Sequence, residues 1–175
     1  MRVAGDKVVL RRLAVGDAQA FQSYRADPDV ARYQGWSAMS DAEALGFLRE
    51  MSNAPLPTIG GWCQIGIADA ATDTLIGDVG LHVALDHSAA ELGITLSAQA
   101  QGKSQGYEAV NLIVDWIFAH TDAPKIVAIT DQRNTGAQAL LKRLGWPYVE
   151  TLGPEVEIEG LTEFVFEYAR PMKVN

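Results

Sequence analysis

The stretch QGKSQGYEA, residues 101–109, is the part of the chain best equipped to grip an anion. Gly102-Lys103-Ser104 matches the end of the signature G-x-x-x-x-G-K-[ST], whose backbone amides cradle a nucleotide triphosphate. The first glycine of that signature would stand at position 97, which is Ser97, and no convincing aspartate partner is present to hold magnesium. What remains is an apolar strand, AELGITLS, a loop with two glycines, and a helix start. Several N–H groups and the positive end of a helix dipole would then converge on one spot, which suits phosphate or diphosphate. A glycine-rich turn that merely joins two elements would carry the same letters. Cys63 is the only cysteine, so an internal disulfide and a multi-thiolate zinc site are both excluded, and no metal is expected. Its apolar neighbours, GWCQIGIA, favour a small buried hydrophobe over a nucleophile.

The elements that must position this loop are readable from periodicity. VVLRRL, residues 8–13, reads as a strand, and Gly16-Asp17 as the start of a helix that Asp27-Pro28-Asp29 interrupts; a second short helix is expected over 30–34. Ser40 with Glu43 forms an S-x-x-E capping box ahead of apolar residues at helical spacing. Residues 62–69, 74–84 and 90–97 alternate as strands between polar turns, an antiparallel meander. After Gly106 a helix runs to about His120, with Glu108, Asn111 and Asp115 as its one polar stripe, so most of it is buried. A strand over 125–130, a helix from Asn134 to a stop at Gly145, and strands near 148–152 and 162–169 complete an α+β layer structure.

The net charge of −8 argues against a nucleic-acid partner and would favour a cationic substrate. The first fifteen residues lack a signal-peptide core, and no apolar run is long enough to span a membrane, so a cytoplasmic protein without a membrane partner is expected. At 175 residues, a single domain over 1–175 is the natural reading.

The chain resembles the GNAT superfamily of N-acetyltransferases, within it the RimJ/RimL-like branch. The family loop Q/R-x-x-G-x-G/A is matched by Gln101, Gly102, Lys103, Ser104, Gln105 and Gly106, with Ser104 where glycine is usual, and Glu108-Ala109 continues it. VVLRRL, LIGDVGL, AELGITL and DQRNTGAQALLKRLGW follow in the family's order and spacing. The resemblance implies a mixed, mostly antiparallel sheet flanked by helices, with a splayed strand pair that binds acyl-coenzyme A. Ile94 and Leu96 would lie beside the pantetheine arm, Gly93 would mark a bulge or close approach, and Asn134 would hydrogen-bond the cofactor. Asn134 would serve equally as a helix N-cap.

The implied reaction moves an acetyl group from acetyl-coenzyme A to a primary amine, on a protein N-terminus or a small molecule, by direct attack in a ternary complex. A base must deprotonate that amine. Glu91 is the first candidate and Glu163 and His82 are fallbacks; a solvent-facing strand charge and a structural histidine are the rival readings. The hydroxyl positions other GNAT branches use for the leaving thiolate are Ala137 and Leu141, so Tyr148, Tyr107 or no acid at all would serve. Tyr33, Trp36 and Trp62, with Asp41 and Asp86 nearby, would suit a cationic acceptor. Ser104, Ala137 and Leu141 keep a second reading open, a catalytically weak coenzyme A binding module. A homodimer is compatible with the resemblance.

Overall fold

A computed structural model of the chain describes residues 1–153 and 162–172. Eight strands form one sheet: β1 (Arg2–Ala4), β2 (Val8–Arg12), β3 (Trp62–Asp69), β4 (Leu75–Val83), β5 (Ala90–Leu96), β6 (Lys125–Asp131), β7 (Tyr148–Leu152) and β8 (Glu163–Ala169), in the spatial order β1-β2-β3-β4-β5-β6-β8-β7. Every pairing is antiparallel except β5 with β6. Five helices flank it: α1 (Ala18–Arg25), α2 (Pro28–Ala31), α3 (Asp41–Asn53), α4 (Gln105–His120) and α5 (Thr135–Arg143). The α+β class and the meander agree with the sequence reading.

Local chemistry sets the boundaries. Ser40 Oγ accepts from the Glu43 N–H, and the Glu43 carboxylate accepts from the Ser40 N–H, so both donors at the start of α3 are satisfied as expected. Asp27 caps α2 through the Asp29 N–H, and Pro28 fits the first helical position, which starts that helix earlier than position 30. α4 likewise begins at Gln105 rather than after Gly106. Gly145 takes φ +77° behind α5, a left-handed stop that costs glycine little.

Alternation along the strands divides the core. Cys63, Ile65, Val79, Leu81, Ala90, Leu92 and Ile126 face α4, whose Val110, Ile113 and Ile117 complete a continuous apolar layer. Leu13, Phe21, Tyr24, Ala44 and Leu48 pack under α1 and α3 on the opposite face. Glu108, in the first turn of α4, does not simply face solvent: its carboxylate accepts the N–H groups of Asp6, Lys7 and Val8 at 2.8, 2.7 and 2.9 Å. The β1–β2 turn is thereby tied to the helix that follows the glycine loop. Gly5 permits the approach, since a Cβ there would meet the Glu108 carboxyl carbon at 2.7 Å.

Two local expectations are corrected. The β4–β5 ladder runs in unbroken register from Gly77/Leu96 to Val83/Ala90, so Gly93, paired with Gly80, makes no bulge; nor does anything lie within 4 Å of where its Cβ would be. β1 was not expected at all, because three residues are too few to show a period.

Candidate functional site

β5 and β6 pair at only two positions, Ala90/Ile126 and Glu91/Val127, and then part. The gap opens into a cleft of about 620 Å3. Ile94, Thr95 and Leu96 form one wall, and Asn134 with Ala137, Leu140 and Arg143 of α5 form the other. Gln101, Gly102, Ser104, Gly106 and Tyr107 line the same cleft where the loop meets α4.

The loop is shaped by two left-handed residues, Gly102 at φ +73° and Ser104 at φ +63°. Serine in that region costs about 1 kcal/mol relative to glycine. No side chain caps α4, so the N–H groups of its first turn stay available as donors among the described residues, at the positive end of a 16-residue helix dipole. The Gln101 side-chain amide donates to the Leu96 carbonyl at 3.1 Å and ties the loop to β5. Gly106 lies so close to that strand that a Cβ would meet Leu96 Cδ1 at 3.1 Å. The side chains of Lys103 and Gln105 turn away from the cleft. Gln105 Nε2 donates to Asp69 Oδ2 at 3.2 Å, and both residues border a separate, smaller hollow. Only their backbone is in a position to serve the loop.

Asn134 combines both readings offered for it. Its Oδ1 accepts from the Ala137 N–H at 3.1 Å as an N-cap, while its Nδ2 has no partner among the described residues and the residue lines the cleft.

Trp62, His82 and Glu91 occupy the sheet face opposite α4. Pairing sets Trp62, His82, Glu91 and Val127 in one row across β3, β4, β5 and β6. The rings of Trp62 and His82 lie 5.5 Å apart. Glu91 therefore stands at the vertex where the splay begins. Glu163 shares the face but pairs with Asp131, four residues beyond Val127, roughly 13 Å along the strand. The structure does not bring it to Glu91. Tyr33 lines the cleft mouth, with the Arg133 guanidinium 5.9 Å from its ring. Trp36 is elsewhere, stacked 4.1 Å from the Arg25 guanidinium. Asp41 accepts from Gln22, and Asp86 sits in an exposed turn. Tyr107 lines the cleft; Tyr148 sits on the exposed edge of β7, bonded to the Thr151 hydroxyl and packed edge-on against Phe164.

Two features escaped the sequence reading. Arg25 and Asp78 form a buried ion pair at 2.6 Å, 5% and 2% exposed. Phe21 and Trp36 flank the guanidinium. Burial pushes the Asp78 carboxyl above its ordinary value, and the Arg25 charge opposes that shift. Asp78 pairs across the ladder with Thr95 of the cleft wall. The signal was present only as an unremarkable arginine near the end of a helix. The other is Arg143, whose Nη1 donates to Ser104 Oγ at 3.1 Å. In sequence it reads as a basic residue complementing the negative end of a helix dipole.

Residues 7–146 match the family model described as an acetyltransferase (GNAT) domain. The chain is 27% identical over 142 residues, 81% of its length and 79% of the relative's, to an uncharacterized N-acetyltransferase, p20, of Bacillus licheniformis. A GNAT-family acetyltransferase from Bacillus anthracis superposes with a TM-score of 0.82 at 16% identity, covering 97% of this chain and 98% of that one. The microcin C7 self-immunity acetyltransferase MccE, solved in complex with acetyl-CoA and AMP, superposes with a TM-score of 0.80 at 15% identity, over 95% and 94% of the two chains. With the family model spanning most of its length, and the strand splay and glycine loop in place, the chain belongs to the GNAT acetyltransferase family.

Proposed function

We propose that this protein is an acetyl-coenzyme A dependent N-acetyltransferase of the RimJ/RimL-like branch, a single cytoplasmic domain acting on a primary amine in a ternary complex. One observation carries the reading: the β5–β6 splay begins at Glu91 and opens into a cleft that ends on an uncapped helix start. The residues present fit the donor. Backbone N–H groups of the loop and of the first turn of α4 would hold the diphosphate, the Asn134 amide would meet the pantetheine arm, and Ile94 to Leu96 would pair with it. The bound thioester supplies an electrophilic acyl carbon. Glu91, at the vertex, takes the proton from the attacking amine, directly or through a water. Trp62 and His82 extend the same row and offer aromatic faces to an acceptor carrying positive charge.

A second reading, a coenzyme A binding module with little turnover, is favoured by Ala137, which leaves its own position on the α5 wall of the cleft without a hydroxyl. Release of free thiol from acetyl-coenzyme A in the presence of peptides with free N-termini, polyamines and aminoglycosides separates the two. The proposal expects acceptor-dependent release with at least one class. Binding of acetyl-coenzyme A without release for any amine would favour the module.

A further inference from the structure

Three arginines line the cleft. Arg32 is ion-paired with Asp29 at 2.6 Å and Arg133 with Asp131 at 2.6 Å, so each meets a carboxylate. Arg143 has no carboxylate partner among the described residues. Its guanidinium is nonetheless held in place: the Tyr107 ring lies 4.5 Å beneath it, and its Nη1 donates to Ser104 Oγ at 3.1 Å. That bond uses one of five donors. Ser104 is also the loop residue that accepts a left-handed backbone where glycine would be less strained. In a chain of net charge −8, an exposed guanidinium without a carboxylate partner, bonded to a loop of free amides, adds positive charge where an anion could be held.

From this arrangement we infer that Arg143 is a phosphate-binding residue of the acyl-donor site and that Ser104 is its positioning residue. The serine adds a hydroxyl that aims the guanidinium at the ligand, which a glycine would leave swinging. Planar, bidentate recognition of a phosphate group is the chemistry guanidinium serves best. The inference rests on the proposed use of coenzyme A, which offers two such groups, the diphosphate and the ribose 3′-phosphate.

Calorimetric titration of coenzyme A and of dephospho-coenzyme A into the wild type and into Arg143→Gln, Arg143→Lys, Ser104→Ala and the Ser104→Ala/Arg143→Gln double variant tests it. Arg143→Gln is expected to bind coenzyme A at least tenfold more weakly, with a shallower salt dependence, and Arg143→Lys to recover part of the loss. A loss that persists with dephospho-coenzyme A puts the contact on the diphosphate; a loss that vanishes puts it on the 3′-phosphate. Ser104→Ala is expected to weaken binding about threefold alone and not at all on top of Arg143→Gln. Wild type that binds while Arg143→Gln binds within twofold of it overturns the inference. An equal loss from Ser104→Ala in both backgrounds overturns the positioning role. Wild type that binds no coenzyme A sinks the acyl-donor reading itself, a distinct result.

Discussion

Glu91 stands at the last position where β5 and β6 still pair, where the proposed reaction would bring amine and acyl carbon together. Its replacement by glutamine keeps the size and removes the proposed base. Turnover is expected to fall about 10²–10⁴-fold while the Kd for acetyl-coenzyme A changes by less than about threefold. A comparable loss in affinity, or none in turnover, would move the base elsewhere. The loop residues Gln101, Gly102, Ser104 and Gly106, which line the cleft, stood out in the sequence because a loop with two glycines between an apolar strand and a helix start can gather backbone donors. Ser104, which stands where the family loop usually has glycine, takes φ +63°, a conformation glycine adopts with less strain. Trp36 was not legible. A tryptophan among polar neighbours looks the same whether it lines a groove or stacks on a buried arginine, and only the fold brings Arg25 beneath it.

At the scale of elements, the site depends on two close approaches that hold helix and strand in place. Glu108 gathers three backbone N–H groups of the β1–β2 turn, and Glu108→Ala is expected to destabilise by about 1–2 kcal/mol, lowering Tm by about 2–8 °C. A melt unchanged within a degree would show that water satisfies those donors as well. Gly77 is the second: a Cβ there would sit 2.2 Å from the Thr95 carbonyl oxygen, within the β4–β5 ladder. Gly77→Ala is therefore expected to cost more than 2 kcal/mol by denaturant titration, since two strands must separate to admit it. An unchanged midpoint would refute the contact. The strands other than β1 and the long helices were readable from period and caps. The order of strands in the sheet, and the parallel joint between β5 and β6, depend on contacts far apart in sequence that no window of residues records.

Across the whole molecule, two sets of charges pull in opposite directions. Asp131 beside Arg133, Asp69 on the Ala71 and Thr72 amides, Asp73 beside Arg2, Asp86 beside Ser88 and Glu43 on Ser40 are all held below the ordinary carboxylate value. A carboxyl with a lowered folded-state pKa stabilises above its unfolded value and loses that contribution as pH falls through the folded one. Asp78, raised by burial, has the opposite sign and gains from acid. With five groups against one, stability is expected to hold from neutrality down to about pH 4 and to fall below it. A denaturant midpoint that rises between pH 4 and pH 3 would contradict this. Arg25→Met would strand Asp78 and is expected to cost about 3–5 kcal/mol. The proposed activity turns on one property, a cleft at a strand splay that takes an acyl donor. Calorimetric titration of acetyl-coenzyme A into the purified protein tests it most directly. Saturable binding of one donor per chain, with an enthalpy diminished by Asn134→Ala, is the expected result. No heat at millimolar acetyl-coenzyme A would contradict it.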